Sequence, residues 1–216
     1  MTTAHPGRLH VITDETVQRR FRHAEIAAAA RAGGADVVQY REKRELPRAN
    51  RLAVALEVVA VLGGLRCIVN DDVVLARDAG AWGVHLGPTD VSLKAARDAW
   101  PAIGCIGATA NDLARARRVA RDRPDYIGVG PVFGTTSKAR PAPTLGLAGL
   151  ERIVHAVDCP VIAIGGITER NVESVLATGA WGVAVLSAVA RSAEPRSVVE
   201  RLRERIERSI ARGVAL

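Results

Sequence analysis

Ala79-Gly-Ala-Trp-Gly-Val84 recurs later in the chain as Thr178-Gly-Ala-Trp-Gly-Val183, and this repeat decides the fold. A looser copy, Ala32-Gly-Gly-Ala-Asp-Val37, stands nearer the N-terminus. In each copy a helical segment ends on glycine and a short apolar run follows, which is typical of the αβ half of an α/β unit. The first two copies are separated by about four units of roughly 25 residues, so eight such units fill the chain.

The segments around the repeats alternate between strand-like and helix-like periodicity. The strands are apolar on both faces, which indicates a parallel sheet covered by helices. Eight units favour a closed (β/α)8 barrel over an open doubly wound sheet, because the first and last strands then pair and leave no edge. The predicted strands are 8–13, 36–40, 66–70, 82–86, 103–107, 125–130, 160–164 and 182–186, and the predicted helices are 22–32, 47–61, 72–79, 91–99, 111–122, 146–156, 168–177 and 195–212. No linker divides them, so we expect one domain, residues 1–216, in the α/β class.

Composition narrows the class of protein. No apolar stretch reaches the 18 or so residues of a membrane span, and the N-terminus has no signal-peptide pattern, so we expect a soluble cytoplasmic protein without a membrane partner. The net charge of +7 would suit nucleic acid, but aromatic residues make up only 3% of the chain and do not interleave with the arginines. The arginines lie on helices such as 198–212, whose apolar face is Leu202, Ile206 and Ile210. We therefore expect no nucleic-acid partner.

The three cysteines, Cys67, Cys105 and Cys159, are few, far apart and odd in number. This pattern argues against a disulfide framework. Each cysteine borders an apolar run and has no histidine near it in sequence. We interpret all three as reduced core thiols rather than as nucleophiles.

Lysine is rare in this arginine-rich chain, and two of the three lysines, Lys43 and Lys138, follow apolar runs. A lysine in such places predicts a need for its compact, flexible ammonium group. Residues 131–138, Pro-Val-Phe-Gly-Thr-Thr-Ser-Lys, follow a buried-strand pattern and form a loop of small hydroxylated residues that ends in a cation. Such a loop suits a phosphate group.

Chemistry in a (β/α)8 barrel lies where strands end and helices begin. Asp71 and Asp90 follow adjacent predicted strands, so their oxygens are placed to share a Mg²⁺ ion with a substrate diphosphate. Asp72 is interpreted as the cap of the following helix. The residues that the predicted strand ends bring to one rim are Gln39, Arg41, Lys43, Asn70, Asp71, Asp72, His85, Asp90, Thr109, Thr135, Ser137, Lys138, Gly165, Gly166, Leu186 and Ser187.

A second subsite follows the last two strands, where barrels commonly bind a phosphate. Gly165 and Gly166 let an oxyanion approach backbone amides, or they form a tight turn before a helix capped by Thr168. His85 is either a structural histidine or a residue that lines the site. The glycines of 128–134 do not indicate a dinucleotide site, because a proline interrupts them and no helix opens there.

These motifs together resemble the thiamine phosphate synthase family, which shares a superfamily with the thiazole tautomerases. The resemblance runs in order from about residue 8 to residue 190. It implies that an aminopyrimidine diphosphate (4-amino-5-hydroxymethyl-2-methylpyrimidine diphosphate) and thiazole phosphate are joined to give thiamine phosphate and pyrophosphate, with Mg²⁺ assisting diphosphate departure. The motifs are residues 38–43 (VQYREK), 69–72 (VNDD), 85–90 (HLGPTD), 128–133 (GVGPVF), 135–138 (TTSK), 164–168 (IGGIT) and 182–187 (GVAVLS).

The resemblance also implies a role for each matched residue. Asp71 and Asp90 would bind Mg²⁺, and Gly166, Leu186 and Ser187 would bind the phosphate of the thiazole. Thr135 and Ser137 would line the thiazole site, and the pyrimidine diphosphate would be held by Gln39, Arg41, Lys43, Asn70 and Lys138. Thr109 is expected to bind substrate. The residues expected to be catalytic are Lys138, Arg41, Lys43 and Thr109.

The chain departs from the family pattern at three places. Pro88-Thr89 stands where the family usually has Gln-Glu, Thr109 stands where it usually has Ser, and Ser137 stands where it commonly has Thr. The alternatives are a thiazole tautomerase-like protein, a catalytically silent regulator that binds thiazole phosphate, and an epimerase of another phosphate-sugar barrel family. Tautomerases typically lack the lysine and both metal aspartates, and epimerase metal sites use histidine ligands, so the synthase is favoured. A homo-oligomer is compatible with the sequence.

Overall fold

Eight parallel strands close into a barrel in the order β1 to β8, because β1 pairs with both β2 and β8. The structure is a computed structural model that describes residues 5–134 and 142–213. The strands are β1 (Leu9–Thr13), β2 (Val37–Tyr40), β3 (Arg66–Asn70), β4 (Gly83–Leu86), β5 (Cys105–Ala110), β6 (Tyr126–Val129), β7 (Val161–Ile164) and β8 (Gly182–Val185). The predicted (β/α)8 barrel is confirmed.

Helices cover the outside of the barrel and alternate with the strands. They are α1 (His23–Ala32), α2 (Arg48–Leu62), α3 (Val73–Asp78), α4 (Leu93–Ala99), α5 (Leu113–Arg121), α6 (Gly146–Val154), α7 (Val172–Leu176), α8 (Ser187–Ala190) and α9 (Pro195–Ala211). Two elements differ from their predicted bounds by more than two residues at one end: β5 ends at Ala110 rather than at 107, and α7 begins at Val172 rather than at 168. The short α8 was not predicted as an element of its own.

Side chains that alternate along the strands fill the inside of the barrel. An apolar layer there consists of Ile12, Val37, Ile68, Cys105, Tyr126, Ile162 and Ala184. Gln39 and Asn70 come two residues after Val37 and Ile68 on the same strands, so they share the inward face and lie closer to the carboxyl rim. The alternation thus delivers polar side chains to one end of the barrel.

A second, larger core lies between the strands and the helices. Leu202 and Ile206 of α9 are fully buried in it, but Ile210 is 38% exposed, so the predicted apolar face ends one turn early.

Cys67 and Cys105 are buried, and burial raises the pKa of Cys67 to about 12, which fits the interpretation of core thiols. Across residues 5–134 and 142–213, no helix is both long enough and apolar enough to cross a membrane.

Candidate active site

A cavity of about 360 Å³ lies at the carboxyl ends of the strands. Its size is typical of a pocket for a small molecule. The predicted site residues that line it are Gln39, Arg41, Lys43, Asn70, Asp71, Asp90, Thr109, Gly166, Leu186 and Ser187. The other three, Thr135, Ser137 and Lys138, lie outside the described residues. The barrel therefore brings all ten described candidates to one cavity.

Two carboxylates converge on one side of this cavity. Asp71 directly follows β3 with a φ of 69°, a left-handed conformation that is unusual for a residue other than glycine. Its amide donates to the carbonyl of His85 at 2.8 Å, which holds the residue against β4. Burial, with a smaller contribution from the neighbouring Asp71 carboxylate, raises the pKa of Asp90. Two carboxylates that approach each other in this way favour a cation between them.

Asp90 and Asp71 each have a second contact that orients them. The amide of Gly87 donates to Oδ2 of Asp90 at 2.6 Å, across the turn that contains Pro88 and Thr89. Lys43 Nζ lies 2.5 Å from Oδ2 of Asp71. Among the described residues, no group of three or more His, Cys, Asp and Glu side chains is arranged so that it could hold a metal ion. A donor set of two carboxylates suits Mg²⁺, which completes its shell with water and phosphate oxygens.

Asp72, the next residue, has a different role. Its Oδ1 accepts a hydrogen bond from the amide of Leu75 at 2.8 Å, and it is the N-cap of α3. The interpretation of Asp72 as a helix cap is confirmed. Of these two adjacent aspartates, Asp72 therefore caps the helix and Asp71 lines the cavity.

Arg41 supplies a positive charge to the cavity wall from a largely buried position. Its guanidinium forms an ion pair with Asp14, whose side chain is completely buried. Asp14 in turn accepts hydrogen bonds from the amide and hydroxyl of Thr16, which fixes the turn after β1. Burial lowers the pKa of Arg41, but a guanidinium stays charged at neutral pH. The Asp14 pairing therefore sets the direction of the charge.

The far end of the cavity is formed by the loops after β7 and β8. Gly166 has a φ of 65°, and a Cβ atom there would lie 2.7 Å from Cβ of Phe133. Glycine is therefore required by the backbone as well as by any ligand. Leu186 and Ser187 begin α8, whose first amides have no partner within the helix. One alternative for this turn had Thr168 as the cap of the next helix, but α7 begins later, with Asn171 at its N-cap position.

His85 both lines the cavity and takes part in internal hydrogen bonds. Its Nε2 lies 2.8 Å from Oγ1 of Thr109, and its Nδ1 lies 2.9 Å from the hydroxyl of Tyr126. The two interpretations left open by the sequence therefore both apply.

Asn111 and Tyr126 line the cavity, take part in its hydrogen bonds and were missed from the sequence. Asn111 directly follows β5, and its Nδ2 donates to the carbonyl of Gly130 at 2.5 Å, next to the cis Gly130–Pro131 peptide. The rule that selected the other rim residues would have found it. Tyr126 begins β6, and its side chain reaches the cavity from below. A search of strand ends gives no signal for such a residue.

Comparisons with known proteins agree with this geometry. Residues 9–189 match the family model described as "Thiamine monophosphate synthase". The chain belongs to this family. It is 44% identical over 207 residues to the thiamine-phosphate synthase of Methanoculleus marisnigri, covering 95% of this chain and 98% of that protein. It is 43% identical to the enzyme of the same name from Salinibacter ruber, covering 93% and 89%.

A solved structure supports the same relationship. The thiamine phosphate pyrophosphorylase of Pyrococcus furiosus superimposes with a TM-score of 0.85 at 33% identity, covering 95% of this chain and 98% of that one. Membership of the thiamine monophosphate synthase family makes this protein an enzyme of the transferase class. The resemblance given by the motifs is thereby confirmed.

Proposed function

We propose that this protein joins 4-amino-5-hydroxymethyl-2-methylpyrimidine diphosphate to thiazole phosphate, in the cytoplasm, and releases thiamine phosphate and pyrophosphate. One observation carries the proposal. A single cavity has carboxylates and cations at one end and a glycine turn beside a helix start at the other. A diphosphate with a metal suits the first end, and a monophosphate suits the second.

The reaction needs charge stabilisation rather than proton transfer. The bond between the pyrimidine methylene carbon and the diphosphate oxygen breaks, and its electron pair leaves with pyrophosphate. The lone pair of the thiazole nitrogen then forms a C–N bond with the methylene cation. Preorganised positive groups around the departing oxygens lower the barrier for such a step.

The described residues fit Mg²⁺, with Asp71 and Asp90 as its protein ligands. The raised pKa of Asp90 and the approach of the two carboxylates support this assignment. When bound, the ion would neutralise negative charge on the diphosphate. Lys43, which contacts Asp71 and also lines the cavity, would turn to a phosphate oxygen.

The remaining roles follow from position in the cavity. Arg41 would bind the diphosphate from its buried pair with Asp14. Gln39 and Asn70, joined by a hydrogen bond of 3.2 Å, would hold the pyrimidine ring. Thr109 would donate to the diphosphate, Gly166, Leu186 and Ser187 would bind the thiazole phosphate, and Thr135, Ser137 and Lys138 keep the roles implied by their motif.

The test is an assay of the purified protein with both substrates and Mg²⁺, with thiamine phosphate and pyrophosphate measured together. We expect equal amounts of the two products, and none when either substrate is omitted. Tight binding of thiazole phosphate without product would contradict the proposal and favour the silent regulator. Conversion of the thiazole phosphate alone would favour the tautomerase.

A further inference from the structure

A continuous hydrogen-bond network runs inside the barrel from its base to the cavity. Gln39 and His85 belong to motifs quoted above, and Thr109 was a predicted site residue. Pro6, His10 and Tyr126 lie outside every motif. From the base upward the members are the Pro6 carbonyl, His10, Gln39, Tyr126, His85 and Thr109. We call this set the interior network.

The first hydrogen bond of the interior network, at its base, determines which groups donate and which accept in the others. Nε2 of His10 lies 2.6 Å from the carbonyl oxygen of Pro6, which can only accept a hydrogen bond. The proton of the imidazole therefore lies on Nε2. Complete burial lowers the pKa of His10 to about 4, so the ring is neutral at pH 7 and its Nδ1 is an acceptor.

The donor and acceptor roles of Gln39 and Tyr126 follow from the acceptor role of His10 Nδ1. Nε2 of Gln39 lies 3.1 Å from Nδ1 of His10 and 3.2 Å from the hydroxyl of Tyr126, so its two protons are donated to these two groups. The hydroxyl oxygen of Tyr126 thus accepts from below. Its single proton is then directed to Nδ1 of His85, 2.9 Å away.

His85 is the last donor of the interior network before the cavity. Because Nδ1 of His85 accepts from Tyr126, the neutral ring carries its proton on Nε2 and donates it to Oγ1 of Thr109 at 2.8 Å. Thr109 is an acceptor in this bond. Its own hydroxyl proton is left to point into the cavity, which Thr109 lines.

Two glycines make room for the rings of the interior network. A Cβ atom on Gly107 would lie 2.1 Å from Cζ of Tyr126, and a Cβ atom on Gly128 would lie 2.9 Å from Cε1 of His85. Any other residue at position 107 would displace the phenol from the barrel axis. The strands on either side of the network are therefore built around these two side chains.

We propose that His10, Tyr126 and His85 are positioning residues that hold the Thr109 hydroxyl as a hydrogen-bond donor toward the diphosphate. A threonine hydroxyl in a cavity rotates freely between donor and acceptor directions. The interior network removes this freedom before substrate binds. The inference rests on the proposed function for its kinetic consequence, since the donor matters when charge develops on the departing diphosphate.

The kinetic test is a double-mutant cycle between Tyr126→Phe and Thr109→Val. Without the phenol, Nδ1 of His85 no longer accepts the Tyr126 proton, so the ring can carry its own proton there and Thr109 then donates to His85 instead of to substrate. We expect Tyr126→Phe to lower kcat by about tenfold to a hundredfold, the range for a hydrogen bond to a charged group. In the Thr109→Val background the same change should alter kcat by less than about twofold.

Two further variants serve as controls. Tyr40→Phe removes another buried phenol, whose hydroxyl donates to the Arg51 carbonyl and not to the interior network, so kcat should stay near that of the parent. Thr109→Ser keeps the hydroxyl and should retain most activity. Equal losses from Tyr126→Phe in both backgrounds would overturn the proposal, because the phenol would then act through packing alone.

The ring nitrogens give a readout that needs no activity. Histidine ¹⁵N chemical shifts of the substrate-free protein should show His10 and His85 protonated on Nε2, and Tyr126→Phe should shift His85 alone toward the Nδ1–H form. A His85 ring that already carries its proton on Nδ1 in the parent overturns the network direction. A parent that shows the expected shifts but makes no thiamine phosphate counts against the proposed function instead.

Discussion

Lys43 Nζ lies 2.5 Å from Oδ2 of Asp71, and Asp71 approaches Asp90 closely enough to help raise the pKa of that carboxyl group. Asp71 thus interacts with both a lysine and a second carboxylate that line the cavity. A metal ion placed there would compete with Lys43 for Asp71. The ammonium group would then be released toward the diphosphate.

Asp71→Asn and Asp90→Asn should each reduce kcat by about a hundredfold or more and raise the Mg²⁺ concentration needed for half-maximal rate, because each removes a charged oxygen ligand. Initial rates across a Mg²⁺ titration, with EDTA as the zero point, measure both effects. Asp72→Ala is the matched control. It removes the cap of α3 and should cost about 1 kcal/mol of stability while kcat is kept. Activity that survives EDTA and both substitutions would show the metal assignment to be wrong.

Stability should fall in acid because of His10. Burial lowers the pKa of His10 from 6.5 to about 4, so between these values the unfolded chain binds more protons than the folded protein. The free energy of unfolding therefore decreases as pH falls through this window, by about 3 kcal/mol in total. Burial of His23 shifts its pKa in the same direction, so the comparison must be made between variants.

Urea unfolding at a series of pH values between 7 and 4 measures this dependence. His10→Asn should flatten the curve relative to the parent, because the titrating group is gone. His155→Gln, at the exposed end of α6, should leave the curve as steep as in the parent. Parallel curves for the parent and His10→Asn would contradict the link between this burial and acid sensitivity.

The fold was predictable because its signals are local and repeated. The glycine-containing copies at 79–84 and 178–183 each run into the first residues of a strand, β4 and β8, and the spacing of the copies predicted the number of units. The β5 boundary was less predictable. Residues 103–107 are apolar, but Ile103 hydrogen-bonds back to Trp100 in a turn, and the barrel register instead pairs Cys105 with Gly83. Register is a property of the neighbouring strand, which no single segment encodes.

The residues of the cavity were likewise predictable only in part. Asp71, Asp90 and Lys43 follow strands, so a rule about strand ends located them. His10 lies low in the barrel and meets the cavity only through its contact with Gln39, whereas Tyr126 reaches the cavity from below. Their partners are far apart in sequence and are set by closure of the barrel. Sequence patterns therefore gave the rim but not the network beneath it.

The buried pair of Asp14 and Arg41 should be sensitive to loss of the carboxylate. Asp14→Ala leaves a largely buried guanidinium without its partner, which typically costs about 3 kcal/mol or more. We also expect the KM for the pyrimidine diphosphate to rise, because Arg41 loses its orientation. Thermal melting and steady-state kinetics check the two effects. Arg196→Ala, which breaks the exposed pair with Glu200, is the control and should change neither quantity appreciably. An unchanged KM in a folded Asp14→Ala protein would contradict the orienting role.

The two ends of the cavity should respond separately. Ser187→Ala removes a hydroxyl at the start of α8 and should raise the KM for thiazole phosphate more than that for the pyrimidine diphosphate. Gly166→Val should weaken thiazole phosphate binding and also lower the melting temperature, because its side chain would collide with Phe133 and Gly134 at a φ of 65°. Isothermal titration with each substrate alone separates the effects. Equal loss of both ligands in a folded Ser187→Ala protein would indicate one shared site.

Lys138 carries the strongest kinetic prediction, although it lies outside the described residues. The resemblance of its motif implies an ammonium group near the departing diphosphate, and we expect its charge to matter most as negative charge builds on the leaving oxygen. Lys138→Ala should lower kcat by roughly 10² to 10³, the range for one preorganised electrostatic contact. Lys138→Arg should restore only part of this loss, because the planar guanidinium keeps the charge but not the compact geometry.

Lys94→Ala is the matched control: Lys94 is highly exposed on α4 and pairs with Asp98, so this substitution should leave kcat unchanged. Steady-state kinetics with thermal melting as a folding check decide the matter, and a near-normal kcat in Lys138→Ala would remove this lysine from the mechanism.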